Sequence, residues 1–346
     1  MNSNLIHLIE FIAFCSALML IAFRPAWREW QFPSDCEPLP ISPDYSIDID
    51  YFATSFYSKV ENFLTKESVS GNQQDFQFIS ASASKPDWSD ITLPVIVMNS
   101  MYLKEVMHCQ FPVFVNGDFH TIGADNLKSI YTQGKISLGP YSRIDDWAYA
   151  RETIILGYES SAPRRLSSAT CIYLEHGCHF ERVNAPVISF GLRVQNYTVQ
   201  SNALIESSFS ELKGAVQQSS SLTLIRGDCE IPNDRVYRGS LIVTGRLIVG
   251  DRSRIIGDVK ARKNIVVGVN ALIGGALICE KNITLKEYVC VKGPIISEVL
   301  ITIGAHSTVG IHELPTTVSA ERIIVGPGVI AHGTVWARER GVTCPS

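Results

Sequence analysis

Apolar residues return every 18 positions along much of this chain, and that period leaves few folds open. Leu247, Ile265, Ile283 and Ile301 are spaced by 18, with Val249, Val267, Leu285 and Ile303 two places on and Ile255, Ile273, Val291 and Val309 eight places on. Glycine follows at ten places (Gly257, Gly275, Gly293, with Ile311 breaking the pattern), aliphatics at twelve (Val259, Leu277, Ile295) and small residues at fourteen (Ala261, Cys279, Ser297). A last copy begins at Ile323, after a four-residue insertion around Leu314 and Pro315, and an earlier partial copy ends in Gly239, Leu241 and Val243. The same period runs upstream through Ile136, Ile154 and Ile172, with Leu138, Leu156 and Leu174 two places on. Alternation of apolar and polar residues marks strands with one face buried. A strand pattern that returns in fixed register belongs to a chain that coils, each turn stacked about 4.8 Å above the last, so that aliphatic ladders build a core no single turn could bury. Glycines mark corners that need positive φ or close approach. The expected fold class is therefore all-β, a parallel β-helix of about 18 residues per coil.

Two blocks carry the period, at 93–194 and 235–337. Residues 195–234, with the polar run SSFSELKGAVQQSSS, are expected to be a loop or linker between them, and 338–346 a tail. The last coil, Ile323–Val335, is followed only by WARERGVTCPS. Without an apolar cap its edge is expected to stand open as a template for another chain.

The N-terminal part reads differently. Leu5 to Phe23 (LIHLIEFIAFCSALMLIAF) is apolar over about one hydrocarbon thickness, with no Lys or Arg before it and Arg24 and Arg28 just after. It lacks the basic start and small-x-small end of a cleaved signal, so one uncleaved transmembrane helix is expected within 1–30. The flanking arginines place the rest of the chain in the cytoplasm, making the protein single-pass in the inner membrane. His7 and Glu10 lie one turn apart and are expected to reach the interface. Trp27, Trp30 and Phe32 suit the headgroup region, and FPSDCEPLPISPDY an extended linker. Within 31–92, Phe52, Phe56, Val60, Phe63 and Leu64 fall on one face of a helix that could pack on membrane, β domain or partner. Residues 67–90 are polar and are expected to be a loop.

The run LIVGDRSRIIGDVKARKNIVVGVNALIGGALICEKN resembles the bactofilins, bacterial polymer-forming cytoskeletal proteins. The likeness is closest over about 237–335 and weaker over 113–190. It implies a right-handed β-helix that associates end to end without a nucleotide, often at a membrane, serving cell shape, envelope growth or the localisation of polysaccharide enzymes. Members of that family are short, whereas this chain adds an apolar segment, a long N-terminal region and a second block.

On this reading the chain is a self-associating scaffold rather than an enzyme. Its partners are further copies, the membrane through residues 5–23, and envelope-synthesis proteins. No catalytic, cofactor or metal residues are assigned. The alternative is a hexapeptide-repeat acyltransferase acting on a sugar or envelope precursor, since Val249, Ile255, Ala261, Val267, Ile273 and Cys279 are spaced by six. Such an enzyme needs a histidine base, for which His306 in IGAHSTVG is the best placed, ahead of His120, His312 and His332. Cys171, His176, Cys178 and His179 are zinc-type ligands, but neighbours on a strand face opposite ways, so Cys178 and His179 are not expected to share an ion. Asp145, Asp146 and Glu152 could pass for paired glycosidase carboxylates and are expected to be turn residues. There is no P-loop and no GxGxxG, and with 30 Lys+Arg against 34 Asp+Glu and no basic run, nucleic acid is not an expected partner. Nine scattered cysteines, none in a CxxC pair, fit buried thiols in a reducing compartment.

Overall fold

A computed structural model describes residues 3–31, 49–67, 75–79, 88–191 and 204–344. It contains two compact units, Met1–Asp48 and Ile49–Ser346. The described part of the first is helix α1, Ser3–Gln31. The expected anchor is thus a continuous helix, with Phe11, Ile12, Phe14, Leu18, Met19, Leu20, Ile21 and Phe23 exposed. Taken over the described residues, however, no helix is long and apolar enough to cross a membrane. The Pro-rich linker, Trp30 and Phe32 lie outside the described residues or side chains.

The second unit is the parallel β-solenoid that the period demands, with about 14 turns spaced by about 18 residues. Each strand pairs in parallel with the one a turn away: Leu247–Val249 with Ile265–Val267, then Ile283–Leu285, then Ile301–Ile303, in unbroken register. The inward positions are the predicted ladders. Ile255, Val259, Ala261, Ile265 and Val267 of one coil are essentially fully buried, as are Ile273, Leu277, Cys279, Ile283 and Leu285 of the next. The upstream block repeats the arrangement with Ile144, Ala148, Ala150, Ile154 and Leu156. Fully burying each large aliphatic is worth ~1.5–3 kcal/mol, and the ladders form one continuous core cluster.

The corners separate two jobs that sequence alone merges. A left-handed residue does recur every turn, but as Asp234, Arg252, Asn270, Tyr288 and His306, with φ near +58°. Gly257, Gly275 and Gly293 instead allow backbone contact between turns: a Cβ on Gly275 would lie 2.8 Å from the carbonyl carbon of Gly257. The small residues at place fourteen turn inward, where Cys279 Sγ and Ser297 Oγ donate to the carbonyls of Lys263 and Lys281. Asp251 and Asp258 bridge successive turns by accepting from the Val269 and Ala276 amides at 2.8 Å.

Helix α2, Tyr51–Glu67, settles where the predicted amphipathic face goes. Ala53, Phe56, Val60 and Phe63 pack on the outward side chains Ile96, Phe114 and Tyr131 of the first block, with Trp147 and Tyr149 at the margin. Tyr57 stacks on Tyr131 at 5.0 Å, and burial pushes the Tyr131 hydroxyl up to about 12.

Three boundaries differ from expectation. Gln77–Phe78, within the expected loop, pairs with Val95–Ile96 and opens the first block. Residues 205–231, expected as linker, contain the opening turn of the second block: Ile205–Ser207 pairs with Arg235–Tyr237, and Ala215–Ser219 runs antiparallel to Leu222–Ile225. Apolar alternation is weak there because this turn has one stacking neighbour rather than two. Phe209, in a short 3-10 helix, lies flat on Tyr237 at 4.8 Å and closes that end of the core. Finally, the last strand runs Val329–Thr343, so most of the expected tail is sheet.

Candidate functional site

The last strand of the second block does not end in solvent. It pairs antiparallel with the last strand of the first block, His179–Phe190, in the register His179↔Val342, Val183↔Val335, Ala185↔Gly333 and Phe190↔Val329. The open C-terminal edge expected from the sequence is therefore occupied within the chain. Among the described residues every other pairing between named strands is parallel, apart from the closing hairpin at Ala215–Ser219. The reversal has a geometric cause: two coils that meet by their C-terminal ends present strands of opposite direction, as a two-fold axis across the rod requires.

The seam is built from complementary shapes and a set of specific polar contacts. Phe180 packs against Phe190 at 5.7 Å between ring centres, and Gly341 faces the Phe180 ring so closely that a Cβ there would come within 2.3 Å of it. Val183, Ala185 and Ile188 meet Ala331, Val335 and Ala337 in the same continuous core. At the surface His332 Nδ1 lies 2.9 Å from the Pro186 carbonyl, and Thr334 Oγ1 donates to Asn184 Oδ1 at 2.8 Å. Thr343 Oγ1 accepts from the Cys178 amide at 2.9 Å and donates to the Glu175 carbonyl at 2.6 Å. The Arg182 guanidinium covers Trp336 at 5.2 Å, and Arg340 Nη2 is 3.0 Å from His179 Nε2. Burial first, then the charge of Arg340, holds the His179 imidazole below its ordinary pKa.

The residues weighed from sequence fall into separate places. His306 occupies the left-handed corner column, stacked on Tyr288 at 5.0 Å and covered by Gly328 on the next turn. His120 lies beside Tyr102, and His312 meets His332 edge-on at 5.9 Å. Cys178 points inward against the Gly157 carbonyl, and burial raises its thiol to about 12, whereas His179 faces outward beside Arg340. Burial also raises the Cys171 thiol, and His176 meets Tyr158 edge-on. Among the described residues no group of three or more His, Cys, Asp or Glu could hold a metal ion. Asp145, Asp146 and Glu152 are paired one by one, with Arg143 at 2.5 Å, Arg164 at 3.3 Å and Lys135 at 3.9 Å. In α1, His7 and Glu10 form an exposed pair at 3.2 Å.

Sequence reasoning missed the seam. Its signals are present: Gly341 at an inward position, and alternation that persists through Val342 and Thr343 past the expected end. No family model, no curated protein and no solved structure matches the chain.

Proposed function

We propose that this protein is a structural scaffold of bactofilin-like type: a stiff, right-handed solenoid rod, tethered to the inner membrane by α1 and held in the cytoplasm, that organises envelope or polysaccharide-building enzymes. The observation that supports it is the seam. Joining two solenoids edge to edge makes one rod of roughly 65 Å, at ~4.8 Å per turn, with an interior packed solid by aliphatic side chains. Such an object transmits position and stiffness. The tether is proposed from the sequence alone, from the apolar run Leu5–Phe23 and, for its direction, Arg24 and Arg28, since no described helix is long and apolar enough to cross a membrane.

Self-association keeps its place in the proposal with a changed route. The C-terminal edges are consumed by each other, so contacts between copies go through the N-terminal ends of the two blocks, near Gln77–Phe78 and Ala215–Ser219. Electron microscopy of purified Ile49–Ser346 without nucleotide tests this reading. Filaments or rods joined at their ends support it. Compact trimers with an acyl-transfer activity that His306→Ala abolishes would replace it with the acyltransferase. A fluorescent protein fused after Ser346 should glow and a phosphatase there should be inactive; the reverse pair would move the rod across the membrane.

A further inference from the structure

A cavity of about 480 Å³ opens beside the seam where α2, the first block and the last strand of the second block come together. Its lining combines three guanidinium groups, two carboxylates and three aromatic rings. Arg164, Arg165 and Arg182 come from neighbouring strands of the first block, as do Asp146, Trp147 and Glu181; Phe52 comes from α2 and Trp336 from the second block. The arginines arise from the solenoid itself. On this stretch the outward column one place before each inward ladder residue reads Trp147, Arg165 and Arg182 over successive turns, and the seam continues it into Trp336.

Arg164 and Arg165 are only partly answered from within. Arg164 pairs with Asp146 at 3.3 Å. Arg165 lies over the Phe52 ring at 4.6 Å, and its Nη1 is enclosed with no hydrogen-bond acceptor. A buried guanidinium N–H without an acceptor is costly, and an arriving anion that supplies one recovers that cost. Three arginines against Asp146 and Glu181 leave the wall net positive. Arginine forks match the two oxygens of a carboxylate or phosphate, aromatic faces cover the apolar C–H face of a sugar ring, and carboxylates accept from hydroxyls.

We infer that this cavity binds an anionic sugar: a hydroxylated ring bearing a carboxylate or a phosphate, its oxyanion against Arg165 and Arg182 and its ring against Trp336 or Trp147. This goes beyond the scaffold reading and does not depend on it, because the cavity exists whether or not copies of the chain associate. It would make the seam a place where the rod touches the material being built.

Calorimetric titration of the full chain in detergent micelles, with glucuronate, inorganic phosphate and glucose as probes, tests the inference. One anion should bind at one site per chain, and glucose about tenfold more weakly or not at all, as expected when charge-assisted hydrogen bonds are lost. Glucuronate tighter than phosphate supports the sugar; phosphate tighter than glucuronate would show an oxyanion site without the ring and overturn the sugar assignment. Arg165→Gln should weaken the better anion about tenfold and Arg165→Lys less, because the lysine keeps the charge but not the fork. Arg164→Gln changes a largely exposed side chain, so it should fold and still weaken binding a few-fold, and it decides the matter if the Arg165 variants unfold. Equal binding of glucose, no binding of either anion at millimolar concentration, or unchanged affinity in folded Arg164 and Arg165 variants would overturn the proposal.

Discussion

Single side chains in this rod are of two kinds, those that fill the ladder and those that sit at its corners and seam. Val267 is fully buried between the turns above and below. A carboxylate there would be desolvated without a partner, so Val267→Asp should cost several kcal/mol and erase the β signal of the neighbouring turns in circular dichroism. His306→Ala removes a corner side chain whose main contact is one stacked ring, and should lower stability by less than about 1 kcal/mol. His179 gives the seam a pH dependence. Its folded pKa lies below the ordinary value, so as pH falls through about 6.5 the unfolded chain takes the proton first and stability is lost. The groups around it are Arg340, which lowers its pKa, and Glu159, which opposes that. Glu181 shifts the other way, raised by burial, and stabilises only as it takes up its proton in more acidic solution. Because His179 is partly exposed, the effect is modest: the melting temperature should fall between pH 7.5 and 5.5, and His179→Gln should make that fall smaller.

At the scale of strands and helices, the structure changes what a proline at Ile324 would do. From sequence the C-terminal coil is an edge, and Ile324→Pro should leave the monomer folded while disrupting its assembly. In the folded chain Ile324 has Thr302 on one side and Val342 on the other, with the first block beyond. Removing its N–H from a central ladder should destabilise the monomer itself by about 3 kcal/mol, read as a lower unfolding midpoint. Helix α2 offers a separate test. Phe63→Ala should cost the helix about 3 kcal/mol of docking and expose Tyr51–Glu67 to limited proteolysis while the solenoid stays resistant. These contrasts show what was readable in advance. The 18-residue ladders were legible because each inward position repeats the same physical demand, burial between two identical neighbours. The face of α2 was legible from Phe56, Val60 and Phe63, but not its partner, since Phe114 and Tyr131 look like ordinary outward strand residues until the helix covers them. The seam was illegible because it joins residues about 150 positions apart whose pairing follows no period. The cavity was illegible for the same reason, since Arg165 and Trp336 become neighbours only through that pairing.

For the molecule as a whole, the seam decides which surfaces remain for other molecules. Cutting the chain should reveal what it hides. The isolated segment 204–346 would present Val329–Thr343 as an unpaired edge, and should dimerise or aggregate in sedimentation experiments where Ile49–Ser346 does not use that edge. The intact rod, by contrast, shows the N-terminal end of a block at each extremity. Because those two ends differ, one opened by Gln77–Phe78 and the other closed by Phe209 and the Ala215–Ser219 hairpin, rods joined through like ends would make a line without direction, and rods joined through unlike ends a line with one. The seam also sets the order of events during synthesis. Most contacts within each block link residues 17 or 18 apart, and the pairing of Ile205 with Arg235 about 30, so they can form as soon as the next turn leaves the ribosome. Those across the seam wait for a partner 139 to 168 residues further on. At 5–20 residues per second that interval is roughly 8–30 s, during which the finished first block carries a bare strand, His179–Phe190, into a crowded cell. An aggregation-prone edge that the folded form conceals is therefore displayed for that interval during synthesis, when a neighbouring nascent chain could pair with it.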